Sequence, residues 1–392
     1  MPVTSRSLAA ALLVTAALVP ARAQEVLLSR TGVSPAVATS GRGDFVIVWV
    51  DRRDILADIL PKGAREPRSP FVVSPASANP QVNPDVAVDG AGRFAVVWQD
   101  GLEFSGGDVR VFGEGFGASG GRQGPAVRLS PVEGDQQVRP QVAMQEDGGF
   151  VAAWVEDRLP RGAIKAARFS AGGSPLGPEM EMKAGGDSSN RAKVASFPRG
   201  FAAGWSEFTE CSGGRPPGFV SDIARFDTEG RRTGRIYYVG TSRCSSPDAT
   251  VLLDLVGSRA GALALFLSGH EFIQRFSPSG EPVGGRTPLP VHPCGESHCT
   301  GAETVSMDNT GRFAVIWEVI DSGSFSLAAQ LFNPQGKPLT GLVPVSELPS
   351  GSLIEPVAAA LADDGTLAVV WRREQSGDPQ RNGLYLRKLR LQ

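Results

Sequence analysis

The densest group of chemically versatile side chains in this chain is His292-Pro-Cys294-Gly-Glu-Ser-His298-Cys299. Imidazole and thiolate at such short spacing suit zinc or copper. His270, the remaining histidine of the three, lies a short way upstream. The plainer reading of the same residues is a surface loop tied by a disulfide. A second group is spread along the chain. Carboxylates follow a recurring tryptophan strand at Asp51, Asp100, Glu156 with Asp157, Glu207 and Glu318. Gathered on one face they would suit Ca²⁺, a basic ligand, or an acid/base pair for glycoside cleavage. Charged tips that keep the ends of buried strands solvated are the plainer account. A third set, Asp85, Gln141, Lys193, Asp248 and Glu303, sits beside prolines or their equivalents at the starts of short strands. Nucleophile elbows, His-Glu-x-x-His, phosphate-binding Gly-rich loops and calcium EF loops are absent from the sequence.

What must position these residues is a repeat. Gly92-Arg-Phe-Ala-Val-Val-Trp98-Gln-Asp100 recurs as GDFVIVWVD (43–51), GGFVAAWVED (149–157), RGFAAGWSE (199–207), GRFAVIWEV (311–319) and GTLAVVWRR (365–373), with a worn copy GALALFLSG (261–269). The tryptophan positions are Trp49, Trp98, Trp154, Trp205, Leu267, Trp317 and Trp371, about 54 residues apart, a spacing found in propeller arrays. Each unit reads as four strands. The innermost is short and opened by proline, as in Pro84-Asp-Val-Ala87 and Pro140-Gln-Val-Ala143, where no ladder donor is needed. For the fifth unit the corresponding piece is Pro247-Asp-Ala249. The second strand is the tryptophan run, apolar on both faces and so covered on both. The third ends in an aromatic and a turn, as in Arg225-Phe226 before Asp227-Thr-Glu-Gly230. The fourth is brief, as in Phe71–Ser74 and Val127–Ser130.

The last unit, Leu384 to Gln392, stops after its third strand, and an orphan fourth-strand sequence, Glu25-Val-Leu-Leu-Ser29, stands near the other end. Pairing the two closes a circle and leaves only short edges. The expected fold is therefore all-β: a seven-bladed β-propeller of four-stranded antiparallel blades, with an N-terminal strand completing the last blade. A parallel β-solenoid is the alternative, and the hairpin turns argue against it. The Trp side chains read as core at equivalent positions, not as an exposed binding stripe.

Arg6, the apolar run Leu8–Val19 and Ala21-Arg22-Ala23 have the pattern of a secretory signal over residues 1–23, leaving residues 24–392 as one propeller domain. That run is too short to span a bilayer. Removal of Arg6 and Arg22 takes the formal net charge from −2 to −4. A mildly acidic chain with no basic stripe is unsuited to nucleic acid or an anionic membrane. An exported protein favours disulfides over thiolate metal sites. Cys211 and Cys244 fall in loop classes of one blade that emerge on the same face, so a Cys211–Cys244 bridge and a local Cys294–Cys299 bridge are expected, out of three connectivities.

The stretch Asn83-Pro84-Asp85-Val86-Ala87-Val88-Asp89 running into Trp98 resembles the repeat of exported bacterial β-propeller proteins. The resemblance spans residues 24–392, and its motif is structural, so it implies a fold and carries no site. The Gly-x-Phe…Trp pattern is also similar to the Asp-box of sialidase-like propellers. That box needs Ser-x-Asp-x-Gly-x-Thr-Trp in the outer hairpin, whereas the Asp/Gly turn here precedes the second strand. The expectation is a secreted or periplasmic monomeric binding module for a protein or glycan ligand, acting through the face that carries the cysteines and post-Trp carboxylates. A glycoside hydrolase or lyase is the alternative, and a metalloprotein a third. No resident cofactor is expected. Zinc, through His270, His292 and His298, and calcium are the metals these donors would suit.

Overall fold

A computed structural model describes residues 25–391 apart from 104–107, 131–135, 158–161, 187–188, 210–217, 240–250, 269, 290–297, 322–323, 348–351 and 376. Seven four-stranded antiparallel sheets form the blades. Blade 1 comprises Val33–Thr39, Phe45–Asp51, Asp54–Leu60 and Phe71–Val72, and blade 2 comprises Gln81–Val88, Phe94–Asp100, Arg110–Phe116 and Val127–Arg128. Blades 3 to 6 repeat this order, with innermost strands Gln136–Met144, Ser189–Phe197, Val251–Ser258 and His298–Met307. Blade 7 contains Ser352–Leu361, Thr366–Gln375 and Gly383–Arg390, and its outer strand is Val26–Ser29 from the other end of the chain. Val26 pairs with Leu386, Leu27 with Tyr385 and Ser29 with Leu384. The innermost strands touch in cyclic order, blade 7 against blade 1 included. The fold is a seven-bladed β-propeller closed by the expected clasp.

The repeat exists because each second strand is buried on both faces. Phe94 to Trp98 are all 0% exposed, one face packing within its own blade pair and the other against the next pair. In blades 2, 3, 4 and 6 the aromatic that ends the third strand has a specific partner. Phe116, Phe169, Phe226 and Phe332 stack on Phe94, Phe150, Phe201 and Phe313, with ring centroids 4.9, 5.2, 4.9 and 5.0 Å apart, inside the range where offset stacking adds to burial. In blade 5 the register pairs Ala262 with Phe276 and Phe266 with Phe272, as Phe94 pairs with Phe116 and Trp98 with Phe112. Phe266, fully buried, therefore takes the tryptophan place that the sequence assigned to Leu267. The innermost strand of blade 5 is Val251–Ser258, beyond the Pro247-Asp-Ala249 piece, which lies outside the described residues.

Three proline openings share one device. Ser34, Asn83 and Arg139, each preceding a proline, have φ of 51°, 51° and 55°. The ladder shifts register between Val33 and Ala36, Val82 and Asp85, and Val138 and Gln141. A bulge at the strand entrance changes which side chains the following residues send toward the axis. In blades 2 and 6 the turns after the innermost strands are built alike. Asp89 accepts the Ala91 and Arg93 amides at 2.9 Å and Arg93 Nε at 2.6 Å. Asp308 accepts the Thr310 and Arg312 amides at 2.9 and 3.0 Å and Arg312 Nε at 2.8 Å. Gly92 and Gly311, at φ 86° and 85°, supply the left-handed step that closes each turn. Arg93 and Arg312 then reach the Glu146 and Asp363 carbonyls of the following blades at 3.1 and 2.7 Å, which links neighbours around one rim. Among the described residues no helix is long and apolar enough to cross a membrane.

Candidate functional site: the axial cavity

The innermost strands surround a cavity of about 920 Å³ on the propeller axis, whose mouth is formed by the Asp/Gly turns. One register position per blade gives it a polar waist. Ala36, Asp85, Gln141, Lys193, Asp254, Thr304 and Ala358 each stand opposite the residue that precedes the Trp position, namely Val48, Val97, Ala153, Gly204, Leu265, Ile316 and Val370. All seven line the cavity. Blades 2 to 6 thus place five polar side chains at one level, and blades 7 and 1 close the ring with alanine. The polarity is lopsided, a crescent with an open apolar side.

The two carboxylates of the crescent are held differently. Asp254 accepts the Leu255 amide at 3.0 Å, Thr304 Oγ1 at 2.9 Å and the Val305 amide at 3.4 Å. Lys193 Nζ stands 3.4 Å from its Oδ1. Asp85 accepts the Val142 amide of blade 3 at 2.8 Å. Desolvation in the channel pushes the Asp85 carboxyl up to about 6, against the pull of the Val142 amide and Lys193 and with Asp254 adding to the rise. Gln141 donates its amide to the Pro140 carbonyl at 3.0 Å. The two carboxylates also have a structural use. They cap edge amides of the following blade, as Ser306 does for Leu361 at 2.8 Å, so the ring groups tie blades together as well as face the lumen.

Of the third sequence set, Asp85, Gln141 and Lys193 stand in this waist. Asp248 lies outside the described residues, and the blade 5 position belongs to Asp254. In blade 6 the ladder slips between Ala302 and Thr304, so Thr304 takes the place expected for Glu303. Blade 6 has no proline at this position, and in blade 5 Pro247 drew the reading to Asp248, upstream of the inner strand that carries Asp254, which is why their lumen residues were not legible.

The post-Trp carboxylates lie on the second strands toward the opposite rim, and of those whose side chains are described, Asp51, Asp100, Glu156 and Glu318, none lines the cavity. Asp51 accepts Ser29 Oγ and Thr31 Oγ1, both at 2.6 Å, which tethers the segment after the clasp. Its carboxyl is held below the usual range: burial pushes upward, and the Ser29 and Thr31 hydroxyls outweigh it. Asp100 stands opposite Arg110. Glu156 is 1% exposed, with Lys165 Nζ 3.9 Å away. Glu318 is half-buried opposite Leu327. Glu207 stands opposite Val220 on its strand. His270 and His298 open strands of blades 5 and 6, and Cys299 stands opposite Val319. His292, Cys211, Cys244 and Cys294 lie outside the described residues. Among the described residues no three His, Cys, Asp or Glu side chains are placed to hold a metal.

No protein-family model and no curated protein matches the chain. Among solved structures it is similar to the polysaccharide lyase Uly1, with a TM-score of 0.52 at 9% identity over 91% of this chain and 90% of that one. It is similar also to the Dos1 propeller (TM-score 0.46, 11% identity, 94% and 95% covered). A third is the subtype N10 neuraminidase-like protein of A/little yellow-shouldered bat/Guatemala/060/2010 (TM-score 0.44, 8% identity, 93% and 97% covered). At these identities the likeness is one of fold. The chain is defined by architecture, a seven-bladed β-propeller with a polar axial cavity.

Proposed function

We propose that this propeller is an exported binding module that takes a small polar ligand into its axial cavity. The observation that carries this reading is the crescent. Five consecutive blades place polar side chains at one register position facing a cavity of about 920 Å³, where alanine would suffice to close the ring. A pocket with a few convergent polar groups is the usual form of a small-ligand site. This moves the expected site from the cysteine-bearing rim to the axis. The test is a thermal-shift screen of sugars, amino acids, amines and metal salts, because a ligand specific to the folded state raises Tm by mass action. Any shift must vanish in Ala36→Phe, which fills the open side of the waist. A panel with no shift, or shifts that survive Ala36→Phe, overturns the reading.

The second reading, a glycoside hydrolase or lyase, has one observation in its favour. Asp85, pushed up to about 6, lies where a general acid could hold its proton near neutral pH. Turnover of a polysaccharide by the wild type and its loss in Asp85→Asn would support that reading over simple binding.

A further inference from the structure

We propose that the ligand is an organic amine whose primary ammonium group seats against Asp85, an inference that rests on the axial cavity being the binding site. The ring shows the pairing it would complete. Asp85 and Asp254 occupy equivalent positions three blades apart. Asp254 is supplied by the protein itself: Lys193 Nζ at 3.4 Å, Thr304 Oγ1 at 2.9 Å and two backbone amides. Lys193 is the one ammonium among the described lining residues, and it pairs with Asp254. At Asp85 the neighbouring blades offer the Val142 amide, the Gln141 side chain on one flank and Ala36 on the other. A ligand ammonium at Asp85 would therefore repeat an arrangement that the same ring already makes with its own lysine.

The rest of the lumen selects the same sign of charge. Among the described residues eight carboxylates line the cavity against four cationic side chains. Arg93 and Arg312, just outside the lining, pair with Asp89 and Asp308, and an acidic excess still remains. A cleft lined by one sign of charge within low-dielectric walls concentrates the opposite ion. A primary ammonium carries three N–H donors, which suits the Asp85 carboxylate together with the Gln141 amide oxygen, whose nitrogen is engaged by Pro140. Farther out, Glu146, Asp147 and Asp363 line the same cavity toward its mouth, so a cationic ligand passes acidic groups on its way in.

The experiment is calorimetric titration at pH 7.5 of 1,4-diaminobutane, the neutral 1,4-butanediol, malonate and calcium chloride into the wild type, Asp85→Asn, Lys193→Gln and Ala36→Phe. The diamine should bind the wild type. Asp85→Asn should weaken it about ten- to a hundredfold, the weight of a hydrogen bond between charged groups. Lys193→Gln should bind at least as tightly, because it leaves Asp254 without its ammonium. Asparagine retains an oxygen for the Val142 amide, and a far-ultraviolet spectrum and unfolding curve of the variant confirm its fold. Equal diamine affinity in wild type and Asp85→Asn overturns the proposal. So does binding of the diol, malonate or calcium in place of the diamine, although loss of that binding in Ala36→Phe would leave the cavity reading intact. No binding of any probe, together with an empty thermal-shift panel, overturns both.

Discussion

A chain that starts at Arg30 should lose most of the stability of one that starts at Gln24, although only a four-residue strand has gone. Val26 and Leu28 are half-buried against the core that contains Trp49, Leu384 and Leu386, and half-burial of two such side chains is worth about 2 kcal/mol. Their removal uncovers one side of Leu384 and Leu386, now 0% exposed, for about 2 kcal/mol more. The Glu25–Arg373 pair at 3.1 Å, with side chains 25% and 10% exposed, adds about 0.5 kcal/mol. Loss of the Ser29 Oγ to Asp51 bond at 2.6 Å costs about 1.5 kcal/mol, since one partner is charged. The total is about 6 kcal/mol, within the range of a whole domain's stability. Urea unfolding of the two chains measures it through the midpoint at constant m-value. A synthetic peptide spanning residues 25–32, added to the shortened chain, should restore part of the lost midpoint. A loss below about 1 kcal/mol, or a peptide without effect at millimolar concentration, would refute the idea that the terminal strand holds the ring shut.

Trp98→Ala should cost about 3–5 kcal/mol, the penalty for emptying a fully buried aromatic site, and urea titration reads it directly. Gly115→Ala should destabilise by about 1–3 kcal/mol, because a Cβ there would lie 2.0 Å from the Ala171 carbonyl oxygen of the next blade; an unchanged midpoint would disprove that close approach. Asp85→Asn should stabilise the free protein by about 3 kcal/mol at pH 7.5. The sign follows from a folded-state carboxyl raised from 3.8 to about 6, which makes ionisation unfavourable to the fold. The wild type therefore loses this stability as pH rises from about 4 through 6, and the advantage of asparagine should be absent at pH 4. Peptide mapping without reduction should recover Cys211–Cys244 and Cys294–Cys299; any other pairing contradicts the loop-face reasoning behind them.

The blades were legible because their code is local. Phe94 and Trp98 lie four residues apart with small apolar residues between, and a turn such as Asp89-Gly-Ala-Gly92 precedes them. Each of these is fixed by strand alternation and turn chemistry within one unit. The copy GALALFLSG misled by a single residue, since a leucine and a phenylalanine stand side by side and either fits an apolar strand. Only the pairing of Phe266 with Phe272 shows which takes the tryptophan place. The lumen residues were legible where Pro84 and Pro140 flag the bulge. They were misplaced in blade 6, where no proline marks the slip and a one-residue offset exchanges the two sides of a strand, and in blade 5, where Pro247 points to Asp248 and the inner strand starts only at Val251.

The order of residues by itself determined the number of blades, the pairing of the two ends and the buried tryptophan strands, because repetition and short-range pattern need no knowledge of distant neighbours. The tertiary structure alone decided which polar side chains meet. Asp85, Lys193 and Asp254 are separated by whole blades in the chain and share one level of one cavity only because the ring closes. Whether a carboxylate there has a cation beside it, as Asp254 has in Lys193, depends on blade order around the axis and on bulges that turn each strand. Neither is written in the residues next to it.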